Sequence, residues 1–180
     1  MVKKFLAAAA VVLTVGAPAF AADSENLQTF RAVQKQLLQY PHFTIFDGVD
    51  VQVNDGAVVL LGKVTMPYKR DDIEKRVQKV AGVTRVDNRL EVLPVSQFDD
   101  QLRLGIAQAI YSNPAFRGMV SMVNPPIHVI VEHGHVTLDG VVMNEVERVL
   151  ARSIAGNFPA FSISNELKTE AEVKRELEAL

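Results

Sequence analysis

Valine alternates with polar residues in two stretches of the chain, and the two stretches are copies of one another. Val51 and Val53 flank Gln52, Val58 and Leu60 flank Val59, and Asp55-Gly56 stands between the two sets. Period-two alternation around Asp-Gly predicts a hairpin with a two-residue turn, where glycine tolerates the positive φ required. Residues 49–64 align without gaps on residues 127–142. The identities fall at Val51/Val129, Val53/Val131, Gly56/Gly134, Val58/Val136, Leu60/Leu138, Gly62/Gly140 and Val64/Val142. His133-Gly134 fills the turn of the second copy. Upstream, Pro41 and Phe43 match Pro114 and Phe116; downstream, Asn88 and Leu90 match Asn165 and Leu167. Ordered matches of this extent mark an internal duplication.

Helical spacing brackets each hairpin. Phe30, Val33 and Leu37 share a face before the first, as do Leu102, Ile106 and Ile110 before the second, where Ser96-x-x-Asp99 reads as a capping box. Pro41 and Pro114 lie just past these helices. A second helix is expected to start at Asp71 or Asp72, bury Ile73, Val77 and Val80, and end at Gly82. Its counterpart runs from Asn144 to Ala155 and stops at Gly156. A last strand follows, from Val83 to Val92 or from Phe161 to Leu167. The predicted fold is α/β of the α+β type: two tandem α-β-β-α-β modules, each a small three-stranded mixed sheet packed on two helices. Gly62 and Gly140 are expected where the second strand bends or meets another backbone closely. The modules are expected over residues 24–93 and 96–168, joined by the short Leu93-Pro94-Val95-Ser96 link, so they should sit close together. Residues 169–180, with Thr169-x-x-Glu172 and the stripe Val173, Leu177 and Leu180, predict a C-terminal helical tail.

The N-terminus carries Lys3 and Lys4, an apolar run from Phe5 to Val15, and Ala19-Phe20-Ala21. These are the three parts of a secretory signal peptide, residues 1–21, with cleavage expected after Ala21 and a periplasmic destination. The apolar run is too short for a permanent span, and no second run of span length occurs. Loss of Lys3 and Lys4 with the leader deepens the net charge from −2 to −4. No basic excess remains for general nucleic-acid binding. The chain has no cysteine, which excludes disulfides, thiolate metal sites and a lipidated N-terminal cysteine.

The hairpin with Asp55-Gly56 and Val58-Val59-Leu60-Leu61-Gly62-Lys63-Val64, followed by residues 81–90, resembles the BON domain, a module named for an osmotically inducible periplasmic protein and for nodulation proteins. Residues 134–142 and 163–167 carry the resemblance in the second copy. That copy departs from the pattern in three ways. Pro159-Ala160-Phe161 replaces the usual Gly-Val, the link from hairpin to second helix reads as shorter, and residues 118–126 form an insertion. The resemblance implies an envelope role without a reaction: binding phospholipid or envelope proteins, or chaperone-like support under stress.

Three features hold candidate chemistry. Lys69, Arg70, Lys75, Arg76 and Lys79 form a basic stretch that can attract anionic headgroups, although Asp71, Asp72 and Glu74 interleave with it and a solvated helix face with local ion pairs is the simpler reading. Met119, Val120, Met122 and Val123 make the insertion apolar; it reads either as a partner or lipid contact or as a flap over the core. Pairing across His133-Gly134 puts His128, Glu132, His135 and Asp139 on one face. This is a weak metal-site candidate through His128 and His135, and otherwise a set of exposed polar pairs. Val59 and Leu61 are expected to point away from the helices, packed on the second module or a partner or left partly exposed. No nucleophile elbow, phosphate loop or zinc-helix motif occurs. The expectation is a non-catalytic protein without cofactor that contacts anionic phospholipid at the membrane surface. A chaperone or adaptor for envelope proteins is the alternative, and a scaffold docked onto a larger complex the third reading.

Overall fold

Both hairpins close on turns whose two central residues have positive φ: 47° and 75° at Asp55-Gly56, 50° and 77° at His133-Gly134. The computed structural model describes residues 19–178, with side chains between residues 25 and 176; the expected leader lies almost wholly outside the described residues. The order is α1 (Ala19–Leu38), β1 (Gly48–Asn54), β2 (Ala57–Val64), α2 (Pro67–Val77), β3 (Arg85–Asn88) and β4 (Glu91–Val92). It repeats as α3 (Gln97–Ser112), β5 (Ile127–Glu132), β6 (His135–Val142), α4 (Glu145–Ala155), β7 (Ser162–Asn165) and β8 (Lys168–Thr169), and α5 (Glu170–Glu178) closes the chain. In each module the middle strand pairs antiparallel with the first and parallel with the last, a mixed sheet.

The last strand is broken rather than continuous. β3 and β4 both pair with β2; Arg89 N still donates to Leu60 O at 2.8 Å, and Leu90 then leaves the ladder and drops into the core. Leu167 does the same between β7 and β8. The matched asparagines hold these breaks. Asn88 Nδ2 donates to the Arg70 carbonyl on α2 at 3.0 Å, and Asn165 Nδ2 to the Arg148 carbonyl on α4 at 3.1 Å.

Helix α2 starts at Pro67, not at Asp71 or Asp72. Proline at the first helical position lacks only an N–H that would have no partner there, and its fixed φ suits the helix. The link from hairpin to second helix is therefore two residues in both modules, Thr65-Met66 and Met143-Asn144, and is not shorter in the second. Asn144 caps α4 by accepting from Glu147 N. Gly62 and Gly140 have φ of 114° and 118°, and a Cβ there would lie 2.3 Å from Gly48 O or 1.9 Å from Pro126 O. No other residue fits where the second strand crosses the start of the first.

Each module has its own core. Val33, Leu37, Val58, Leu60, Ile73 and Val77 fill the first; Ile106, Ile110, Phe116, Val129, Leu138 and Ala151 fill the second. The insertion divides: Pro114–Met119 is a 3-10 helix whose Phe116 and Met119 belong to the second core, and the residues after it are exposed. Thr169 and Glu172 cap α5 reciprocally, Thr169 N donating to Glu172 Oε2 and Glu172 N to Thr169 Oγ1. Among the described residues no helix is long and apolar enough to cross a membrane.

The modules dock through the loop that precedes β1. Val129 N donates to Ile45 O at 2.7 Å, so the loop lies along the outer edge of β5. Ile45 and Phe46 pack against the second core, and Asn124 Nδ2 caps the C-terminus of α1 by donating to Leu38 O at 2.7 Å. Lys63 on β2 pairs with Glu132 on β5.

Candidate functional site

Helix α2 and the turn after it, which holds Lys79, carry the basic stretch and divide it. Ile73 and Val77 face the core, and Lys69, one turn before Ile73, turns inward with them. Lys69 is 4% exposed. Its Nζ donates to Asp47 Oδ2 at 2.6 Å and to Thr65 Oγ1 at 2.7 Å. Asp47 is fully buried and also accepts from the N–H and hydroxyl of both Thr44 and Thr65. Burial alone would raise the Asp47 carboxyl; the Lys69 ammonium and the threonine donors outweigh it and hold the group below the ordinary carboxylate value. Lys69 is thus removed from the surface patch. It ties α2 to the loop that docks the modules.

The other cations stay outside. Arg76 lies 4.7 Å above the Tyr40 ring, and the Tyr40 hydroxyl donates to Asp72 Oδ2 at 2.9 Å. Burial, with the Asp72 carboxylate, pushes the Tyr40 phenol up. Tyr40, His42 and Tyr68 continue as edge-to-face rings 5.6 and 5.8 Å apart. Arg70 sits beside Asp71 at 3.4 Å. Lys75 and Lys79 are exposed and have no carboxylate partner among the described residues. Tyr68 and Lys75, seven positions apart, share one stripe of α2, whereas Arg70 lies about 140° around the axis from Lys75. Met66 and Tyr68 are both half exposed at the start of the same helix. The result is a stripe on which Tyr68 stands in line with cations that lack carboxylate partners among the described residues.

The insertion offers a second surface, without Met119. That side chain is 7% exposed and belongs to the core, so the expected contact through Met119 is corrected; Val120, Met122 and Val123 project. Sequence reasoning missed a third surface, Val146 and Val149 on the open side of α4, with Met143 exposed in the link just before it. Its signal was present: α4 buries small Ala151 and Ala155, which leaves its valines for the other face.

The four polar residues of the second hairpin pair as His128↔Asp139 and Glu132↔His135 but are held apart by different partners. His128 Nδ1 donates to Asp47 O and its ring packs on Phe43 at 5.4 Å, both in the joint between modules. Glu132 is bound to Lys63, and the His135 ring meets Ser162 Oγ at 2.7 Å. Among the described residues no three His, Asp or Glu side chains are grouped to hold a metal ion. Asp139 instead borders a cleft of about 200 Å³ between the modules, with Asp50 and Glu166. Burial, then the Asp139 and Glu166 charges, raises the Asp50 carboxyl.

A second clamp was legible only in part. Asp99, which lies in the predicted capping box, receives no N–H from Ser96. Ser96 Oγ accepts from Asp99 N, and the Asp99 carboxylate accepts from His133 N at 2.9 Å and Gly134 N at 2.7 Å, pinning the hairpin turn. Asn26 does the same in the first module by accepting from Asp55 N.

Comparison with known proteins returns one family model: BON domain, matched twice, over residues 28–94 and 99–171. No curated protein matches. Among solved structures, the chain is similar to the C-terminal domain of CdsD, described as the structural protein of the type III secretion system of Chlamydia trachomatis. Identity is 18% over 83% of this chain and 68% of that one, with a TM-score of 0.34. A second CdsD structure from Chlamydia trachomatis gives 12% identity over 84% and 97%, with a TM-score of 0.30.

Proposed function

The chain belongs to the BON domain family, in two tandem copies, and on that premise we propose that it is a periplasmic, non-catalytic protein that binds anionic phospholipid at the membrane surface. The family is generally non-catalytic and binds membranes or lipids. The observation that carries the reading is one stripe of α2 and the turn after it: Lys75 and Lys79, exposed and without carboxylate partners among the described residues, in line with the half-exposed Tyr68. Each cation near an anionic surface contributes about 1 kcal/mol, and a tyrosine seats its ring at the headgroup level. The net charge is negative, so attraction rests on this local face and not on the molecule as a whole.

Co-sedimentation with vesicles tests it. Binding should rise with phosphatidylglycerol content and weaken with salt, and Lys75→Ala/Lys79→Ala should weaken it by about 25-fold, from about 1 kcal/mol for each cation. Binding indifferent to lipid charge, salt and both lysines would refute the reading. The exposed Val146 and Val149, with Met143 in the link before them, favour a second reading, an adaptor or chaperone-like binder of envelope proteins. Under that reading the protein suppresses aggregation of an unfolded client without lipid, and Val146→Ser/Val149→Ser abolishes the effect.

A further inference from the structure

The two first strands are equivalent in register but not in protection. Val129 lies opposite Leu138, and its N–H points away from β6 to Ile45 O, so the pair is one of the non-hydrogen-bonded kind. Ile127 and Val131, two residues either side, share that outward orientation. All three are covered. Tyr111 Oη donates to Ile127 O at 2.6 Å and accepts from Ile127 N at 3.0 Å, Ile45 O accepts from Val129 N, and Arg103 Nη2 donates to Val131 O at 3.3 Å. The side chains of Ile127, Val129 and Val131 are fully buried.

In the first module Val51 stands opposite Leu60 in the same register, so the outward groups are those of Val49, Val51 and Val53. None has a hydrogen-bond partner among the described residues, and all three side chains remain partly exposed. By the repeat alignment, Leu38 stands in the place of Tyr111 and Phe30 in the place of Arg103, and neither can supply those hydrogen bonds. An open valine-rich edge is a template for another backbone.

The segment that covers β5 is residues 44–47, between Phe43 and β1. Its counterpart, between Phe116 and β5, is the enlarged loop 117–126, whose Val120, Met122 and Val123 are exposed, Val123 almost completely at 96%. Met119 is anchored in the second core and Asn124 on Leu38 O, so the loop is held at both ends and only its tip, Val120 to Val123, projects. Each chain therefore has one open acceptor edge at its first module and one projecting apolar loop tip at its second. Between them they are the two halves of the joint already made inside the chain.

We infer that copies of this chain assemble head to tail, the tip of the 117–126 loop of one copy lying along the outer edge of β1 in the next as residues 44–47 lie along β5. The contact is heterologous, so it builds rings if the rotation closes and filaments if it does not. The α2 face is not consumed by it, and repetition would present many such faces to one membrane, raising avidity without any new contact.

Cysteine cross-linking tests the pairing, because the chain has no cysteine of its own. Gln52 and Val123 are exposed, so Gln52→Cys and Val123→Cys leave both cores intact. Under mild oxidation, an equimolar mixture of the two single variants should form mixed dimers, one Gln52→Cys chain joined to one Val123→Cys chain, at least five-fold in excess of either self-linked dimer. The wild-type exported chain should associate with rising concentration in sedimentation velocity, and Met122→Lys/Val123→Lys should hold it monomeric. Self-linked Gln52→Cys dimers in excess would show β1 pairing with β1, and overturn the inference. A monomer at all concentrations with only random cross-links would overturn it too, as would β1 amides protected from exchange by vesicles and not by protein concentration.

Discussion

Replacing Lys69 by methionine separates the two roles that the basic stretch of α2 combines. The substitution keeps the aliphatic stem and removes the ammonium, leaving Asp47 fully buried without its cation. Removing one partner of a buried ion pair costs about 3–5 kcal/mol, because the other charge stays desolvated. Asp47 keeps its four bonds from Thr44 and Thr65, at 2.7–2.9 Å, which puts the expected loss near the lower end, about 3 kcal/mol. At about 4–8 °C per kcal/mol for a unit of this size, the first module should melt roughly 12–24 °C lower. Differential scanning calorimetry with urea titration reads this directly. Acid adds a signature. The Asp47 carboxyl is held below its ordinary value of 3.8, so its contribution is fully present above that value and is lost as pH falls through the folded value. Without Lys69 the burial that raises the carboxyl loses its main counterweight, so the sign reverses: Lys69→Met should recover stability as pH falls and Asp47 takes up a proton, where wild type loses it. Asp47→Asn on the Lys69→Met background should recover much of the loss, since no buried charge remains. Vesicle binding, measured where both proteins are folded, should be unchanged by Lys69→Met and weakened by Lys75→Ala. A stability loss under about 1 kcal/mol together with weakened vesicle binding would refute the reasoning and return Lys69 to the surface face.

Three further outcomes follow from the same geometry. Gly140→Ala should cost about 2–4 kcal/mol by urea denaturation, since positive φ and a Cβ 1.9 Å from Pro126 O act together. Asp99→Ala should cost about 2–3 kcal/mol and Asn26→Ala about 1 kcal/mol in the same assay, because Asp99 is buried and bonds two turn N–H groups where Asn26 bonds one at the surface. The Asp50 carboxyl is raised in the folded chain, so the stability linked to it is present at low pH and lost as pH rises through the folded value. Asp50→Asn should therefore raise the melting temperature at neutral pH and flatten that dependence in a thermal series.

Local order alone determined much of this molecule. Two-residue turns, the crossing glycines and the valine alternation all act over a few residues, and duplication gave each pattern a second witness. The capping pair Thr169 and Glu172 is legible for the same reason: three positions separate the groups. The start of α2 was legible too, in Pro67, but the aspartates at 71 and 72 offered a competing cap and hid it. What only the tertiary structure decided lies between residues far apart. Lys69 is a latch and not a surface charge because Asp47, 22 positions earlier, reaches it across the fold. His128 and Glu132 serve the joint because Asp47 and Lys63 of the other module arrive beside them, which removes them from any shared polar face. The edges of β1 and β5 look alike as strings of alternating apolar residues. Only packing shows that one is covered by another segment's backbone and the other is left open, because a strand's outward N–H groups are satisfied by whatever the chain brings to them and not by the strand's own side chains.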